Sequence, residues 1–500
     1  MYKRHTGQVS MLESPEMFGS LPLDLNNDWI RLSKLVPWRA FDLKYANNFR
    51  SKKGQRAIDS RMALGALLIK PAYKALSDED ITKEIAMNPY LQYFLGLHEY
   101  RYECPFDPSM MTRFRQRITP EMLAWVNDQI IGRKTEQDKH DDDGSNGSGT
   151  GSQADESQDG ESKEEKEEKN EGTMILDATC APQNIRFPTD ASLLNEGREK
   201  AEEIIDTLHD MGLSEGKKPR TYREKARRKY NSFSKSRKKT VKLIRTTIRQ
   251  QLGYVNRDLG IIDAYELRHP GCLQKLPSRQ QTMLQVIRTL YFQQEYMYRT
   301  GTHKVPDRIV SLSQSWVRPI VRGKQTADVE FGAKVEMSVV DGFLRIEDMR
   351  WDAFNESTTL KQSVEGYRKS YGHYPARVLA DTIFRTRENQ KYCKEHGIHL
   401  NGPKLGKPFT DPAEARKHKK LEWLESGERG EIERNFGVGK RRYSLDCIVT
   451  KLKETSEAMI HSIVIFMNLR KRLRLLLRSL FSWLRIVIQN QLKEMDFALA

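Results

Sequence analysis

The run Met174-Ile175-Leu176-Asp177-Ala178-Thr179-Cys180-Ala181-Pro182 sets a carboxylate inside an apolar stretch bounded by Gly172 and Pro182. A short apolar run between Gly and Pro reads as a buried central strand. A lone carboxylate there is costly unless it is paired, hydrogen-bonded or bound to metal, so whatever this chain folds into must bring Asp177 a partner from elsewhere. A second apolar run, Ala376-Arg377-Val378-Leu379-Ala380-Asp381, also ends on an acid. In one sheet the two aspartates can stand side by side.

Composition narrows the setting. A chain of 500 residues is expected to hold two or three domains. The net charge is +16, and residues 134–172 hide still more basicity, because they carry fourteen Asp and Glu against five Lys. Such a surplus favours a polyanionic partner, nucleic acid or an anionic membrane surface. Spanning a membrane is not expected, since the most apolar segment, residues 460–489, is interrupted by Arg470, Lys471, Arg472, Arg474, Arg478 and Arg485. The five cysteines are scattered without C-x-x-C or paired His spacing. They read as reduced thiols of an intracellular protein, with neither a disulfide framework nor a zinc site. No apolar signal segment follows the basic start.

Along the chain, residues 24–50 predict a helix and a turn, and helical spacing recurs over 60–73 and 78–97. Ser77 with Asp78, Glu79 and Asp80 supplies an N-terminal cap for the second of these. Helices at 110–118 and 121–131 complete an all-α domain over 1–133. Arg113, Arg115 and Arg117 lie on the first of that pair, either presented to a DNA groove or solvating one helix face. Residues 134–172 lack the apolar side chains needed to fold and read as a flexible acidic tether.

After the Asp177 strand, a helix is expected over 192–211. Residues 217–242 follow with thirteen Lys and Arg interleaved with Tyr222, Tyr230 and Phe233. Arg223, Arg227, Arg228, Lys238 and Lys239 stand in that run, as phosphate contacts or as a solvated face. Helices continue to about 298, giving a basic helical insert over about 192–305. Period-two patterning then marks strands at 308–312, 329–340 and 343–351, with Asp341-Gly342 as a hairpin turn between the last two. A helix over 359–369 precedes the Asp381 strand, and a helix at 389–396, a short strand at 397–400 and a helix at 411–425 follow. Strands alternating with helices after a hairpin argue for a mixed α/β sheet. A long helix over 452–490 ends the chain.

The third acid stands in Glu428-Arg429-Gly430-Glu431-Ile432-Glu433, continued by Gly437-Val438-Gly439-Lys440. On a helix, Arg429, Glu433 and Lys440 share one face. If Gly437 and Gly439 end that helix early, Lys440 reaches back from a loop. Glu431 is turned about 200 degrees from Glu433, so Glu433 is the expected ligand. Three carboxylates suit Mg²⁺, which keeps several waters and takes its other ligands from acids and substrate phosphate. A pair of ions about 4 Å apart holds the attacking and leaving oxygens of a phosphodiester in line, and nearby Arg and Lys neutralise its remaining oxygens.

Asp177 in Leu-Asp-Ala-Thr, Asp381 in Leu-Ala-Asp-Thr and Arg429-x3-Glu433-x6-Lys440 together resemble the DDE transposases of small bacterial insertion sequences. The segments 318–324 and Phe331-Gly332-Ala333-Lys334 belong to the same resemblance, which runs from about residue 25 to 475. It implies an RNase H-like mixed sheet within 173–450, with an all-α N-terminal domain, a helical insertion and a C-terminal helix over 451–500. It also implies Mg²⁺ or Mn²⁺, as two ions on Asp177, Asp381 and Glu433, with Arg429 and Lys440 assisting. The implied partner is double-stranded DNA, both terminal inverted repeats and target, and no membrane. The work implied is end recognition, cleavage that frees a 3′ hydroxyl, and joining of that hydroxyl to target DNA by a homodimer in the bacterial cytoplasm at the nucleoid. Related transposases often carry a Tyr three residues before the Arg, and Ser426 stands there, so no such ring is expected to stack on the DNA end. Arg318, Arg322 and Lys324 either line the DNA channel or stabilise a loop. A nuclease of the same fold that never joins ends, and a silent DNA-binding relative, remain as rival readings.

Overall fold

The computed structural model describes residues 2, 15–19, 21–49, 56–74, 76–132, 170–213, 217–321, 329–403, 406 and 411–499. Arg322, Lys324 and nearly all of the acidic tether lie outside them.

The N-terminal helices are α1 (Asp28–Ser33), α2 (Trp38–Ala46), α3 (Ser60–Ile69), α4 (Asp78–Met87), α5 (Pro89–Phe94), α6 (Met110–Arg117) and α7 (Pro120–Ile131). Ser77 and Asp80 form the expected capping box on α4. The single helix predicted over 78–97 is broken between α4 and α5. Proline disfavours a helical conformation in the residue before it, and Asn88 is extended while its side chain accepts from the Tyr90 amide at 3.0 Å to start α5.

Six strands form one sheet: β1 (Thr173–Pro182), β2 (Arg318–Val321), β3 (Val329–Val340), β4 (Phe343–Arg350), β5 (Arg377–Ala380) and β6 (His399–Leu400). β3 lies antiparallel between β1 on one side and β2 and β4 on the other, while β5 runs parallel to β1 and β6 parallel to β5. Asp341 and Gly342 both adopt positive φ, 51° and 77°. Two positive φ values in a two-residue loop match the twist of a hairpin, so the predicted turn forms. Gly332 is needed for a different reason, since a Cβ there would run into the Ala181 carbonyl of β1.

No strand forms at 308–312. Ile309 and Leu312 turn into the core of the insert and Val310 into that of the sheet, so this alternation reflects a coil strung between two cores.

Between β1 and β2 the insert packs α8 (Asp190–Asp210), α9 (Arg223–Lys235), α10 (Val241–Arg268) and α11 (Ser278–Thr300) around a core of its own that includes Leu194, Ile205, Val255, Ile262 and Ile287. One sheet face, carrying Met174, Leu176 and Val378, is covered by α12 (Leu360–Tyr371) and α13 (Arg387–Glu395). The other, carrying Ile175, Val335, Met337 and Leu379, is covered by α14 (Pro412–Arg442) and α15 (Lys453–Leu499).

α15 is the spine of the molecule. Its Ile460, Ile463 and Val464 enter the sheet core, while Ile465, Phe466 and Leu469 enter the core of the N-terminal helices. Asn468 fastens the junction. Its Nδ2 donates to Asn127 Oδ1 and to the Leu344 carbonyl, both at 2.7 Å, and its Oδ1 accepts from the Leu344 amide at 2.9 Å. Beside it, Arg345 of β4 reaches Asp128 of α7 at 3.1 Å. Because these groups are buried, each one unpaired would cost about 1–3 kcal/mol, and the network fixes how α7, β4 and α15 meet.

Candidate active site

The parallel register pairs Leu176 with Ala380, so Asp177 and Asp381 are the next residues on adjacent strands. Side chains two apart along a strand share a face. Asp177 and Asp381 therefore lie on the face of Ile175 and Leu379, the one that α14 crosses.

Asp177 is mostly buried. Its Oδ1 accepts from the Ala178 amide at 2.8 Å, and Arg429 of α14 stands 4.0 Å from its Oδ2. The other arm of Arg429 reaches Glu433 at 3.2 Å, one turn further along the helix. Arg429 thus links the strand acid to the helix acid. Asp381 accepts from the Thr382 amide at 2.7 Å and starts a one-turn helix that directs the chain away from the sheet.

Burial pushes the Asp177 carboxyl up to about 6, and the charges of Glu356 and Asp381 add to the rise, while the Ala178 amide and Arg429 pull against it. A raised carboxyl pKa means that ionising Asp177 destabilises the fold. The cost is absent below about pH 4, where the group is neutral folded or unfolded, grows as pH rises toward 6, and is complete above 6. Asp177→Asn is therefore expected to melt with the parent at pH 4 and to be more stable by about 2 kcal/mol at pH 7.5, as denaturant titrations at the two pH values would read. Equal stabilities at pH 7.5 would refute the burial cost.

α14 runs unbroken from Pro412 through Gly437 and Gly439 to Arg442, so the early stop considered from sequence does not occur, and 411–425 and 429–440 belong to one helix. Lys440 therefore sits on the helix, on the stripe of Arg429 and Glu433, about 10 Å beyond Glu433. Glu431 points elsewhere, to Lys471 of α15 at 3.5 Å. Among the described residues no three of His, Cys, Asp or Glu converge closely enough to enclose an ion. Glu433 is more than half exposed and turned to Arg429.

Two acids escaped the sequence reading. Glu356, in a short 3-10 turn, pairs with Lys334 at 2.8 Å and contributes to the field on Asp177. Glu336, opposite Ala178 in the sheet, is fully buried, accepts hydrogen bonds from the Thr359 and Ser363 hydroxyls, and is pushed by burial to about 7. Neither carries a spacing signal. His399 pairs with the buried Glu425 at 2.5 Å.

The expected DNA contacts divide. Arg113 is exposed on α6, whereas Arg117 lies over the Phe49 ring at 5.4 Å. Arg115 is buried in a two-pronged pair with Asp78, both contacts at 2.7 Å. Arg223 is likewise tied to Asp206, at 3.0 and 2.6 Å, and serves the insert's own structure. Arg227, Arg228, Lys238 and Lys239 are exposed. Arg318 turns back to the Val317 carbonyl at 3.0 Å, so it braces its own loop.

Two family models match the chain: the transposase DDE domain over residues 378–470, which contains Asp381, Arg429, Glu433 and Lys440, and the transposase domain DUF772 over residues 21–117. A Rhizobium meliloti protein described as "Uncharacterized protein ORF8 in nfe locus" is 35% identical over 94 residues, 19% of this chain and 44% of that relative. The chain thus spans less than half the length of that relative. No solved structure matches. The two matched segments, far apart in sequence, meet in space through Trp29 and Phe466, whose rings stack at 5.9 Å. Over these two segments the chain is similar to transposase domains. Together with the acids and their Arg and Lys, the two matched models support a DDE transposase reading.

Among the described residues, no helix is long and apolar enough to cross a membrane.

Proposed function

We propose that this transposase cleaves DNA at the ends of its element and joins the freed 3′ ends to target DNA, using Asp177, Asp381 and Glu433. The observation that carries the reading is the placement of one aspartate on β1 and the other directly after the end of its parallel neighbour β5, with Arg429 linking the buried one to Glu433 on the helix crossing them. The strand order β4-β3-β1-β5-β6, with an antiparallel hairpin followed by parallel strands, supports an RNase H-like fold for residues 173–450.

The donor set fits a divalent cation. Two carboxylates share one sheet face, and among the described residues the buried one has no ion pair closer than 4.0 Å. Asp177 and Asp381, joined by Glu433 once it leaves Arg429, would hold Mg²⁺ or Mn²⁺, most simply as two ions. Bound there, the metal supplies Lewis-acid stabilisation of charge on the phosphate. Arg429, released from Glu433, is placed to neutralise a phosphate oxygen, with Lys440 further along the same stripe. In cleavage, water oxygen bonds to phosphorus and the 3′ oxygen leaves as a hydroxyl. In joining, that hydroxyl attacks a target phosphodiester and displaces another 3′ oxygen. No protein side chain becomes covalently linked to DNA.

The exposed Arg227, Arg228, Lys238 and Lys239 of the insert, with Arg113 of the N-terminal helices, are proposed to grip DNA backbone, and Arg322 and Lys324 to line the channel. Residues 134–172 serve as a tether, and a homodimer pairs the two ends at the nucleoid. The test is to incubate the full chain with Mg²⁺, target plasmid and linear DNA ending in the inverted repeats that flank its reading frame. Joined products are expected. Cuts without joining would make it a nuclease, and neither product would leave only DNA binding.

A further inference from the structure

A cleft of about 630 Å³ opens between α14, α15 and the Asp341-Gly342 turn. Arg434, Arg441, Arg442, Arg470, Lys471 and Arg474 line it, and no carboxylate does. Two of these cations are already engaged at the rim, Arg470 with Asp28 at 2.5 Å and Lys471 with Glu431 at 3.5 Å. Arg434, Arg441, Arg442 and Arg474 are exposed, and no carboxylate among the described residues pairs with any of them. A helix C-terminus stabilises a cation in its last turn, which accounts for one or two charges at the end of α14. It does not account for Arg434, two turns earlier, or for Arg474 arriving from another helix.

The cleft is separate from the acids. On α14, Ile432 and Phe436 face the sheet and Arg429 and Glu433 stand beside them, whereas Arg434, Val438 and Arg442 centre about 160° round the helix from Arg429 and Glu433 by its 100° step. A helix with its side chains is about 10–12 Å across, so one phosphate cannot touch both sets.

We infer that this cleft is a second DNA-backbone site, holding duplex phosphates distinct from those at the acids. The inference rests on DNA being the partner, as proposed above. The shape of the charge favours a polymer over a small anion. Arg434 and Arg442 are eight residues apart, about 12 Å along the helix, and duplex DNA presents a negative charge about every 1.7 Å of its axis. None of the free arginines is buried, as a site enclosing one small phosphate would require.

The test is binding of a 25-base-pair duplex without element ends, measured against salt for the full chain and for the triple variant Arg434→Ala, Arg442→Ala, Arg474→Ala. Loss of three phosphate contacts is expected to lower the slope of log affinity against log salt by about 2–3, and to weaken binding about 10- to 100-fold near 0.1 M salt. The triple lysine variant at the same positions should recover most of the slope. An unchanged slope in the alanine variant, with parental melting temperature, overturns the site. A rise in parental melting temperature with millimolar dAMP that the alanine variant lacks, at unchanged duplex slope, also overturns it in favour of a mononucleotide site. Failure of the parent protein to bind duplex at low salt overturns the DNA reading itself.

Discussion

Asp177→Asn, Asp381→Asn and Glu433→Gln are each expected to reduce end cleavage by about a thousandfold or more while leaving duplex affinity within about threefold of the parent. Removing one acid from a cation-holding set withdraws charge stabilisation worth several kcal/mol at the reacting phosphate, and a thousandfold in rate corresponds to about 4 kcal/mol. Affinity is spared because backbone binding depends on exposed Lys and Arg. The three substitutions also separate chemistry from folding. Asp177→Asn removes a buried charge and should stabilise the protein at neutral pH, whereas Glu433 is exposed and its replacement should leave stability alone. A variant that gains stability and loses cleavage cannot owe its inactivity to unfolding. Gel assays of end cleavage with each variant decide the point, and parental rates from any of the three would remove that residue from the site.

The acids were legible because each breaks a rule of its surroundings. A carboxylate inside or at the end of an apolar strand needs a reason, and Asp177 and Asp381 stood out on that ground before any neighbour was known. Arg429 and Glu433 were legible through helical spacing, and the Asp341-Gly342 hairpin through the backbone demands of a two-residue turn. Partnerships between distant segments left no such mark. Arg115 and Arg223 look like Arg113 and Arg227 in sequence, yet Asp78 and Asp206 claim the first two. Residues 308–312 read like a strand because apolar side chains are drawn to two different cores, Ile309 and Leu312 to one and Val310 to the other. The division of α15 between two cores was equally hidden, since an apolar helix wider than one stripe does not reveal what covers each side.

That division carries the second large effect. Termination after Leu452 is expected to abolish folding of both the N-terminal helices and the sheet. The lost segment takes Ala458, Ile465, Phe466, Leu469 and Leu473 from one core and Met459, Ile460, Ile463, Val464 and Met467 from the other. At about 1.5–3 kcal/mol for each larger side chain, the removed burial exceeds the roughly 5–15 kcal/mol by which domains are stable. Asn127 would also lose Asn468, the donor to its Oδ1. Termination after Arg478 is the control, because Leu477 is the last described side chain packed on either core. The longer protein should melt like the parent in one transition seen equally by far-ultraviolet circular dichroism and Trp fluorescence, and the shorter should show no transition. A shorter protein that still melts cooperatively would mean that the two cores are sufficient without their shared helix.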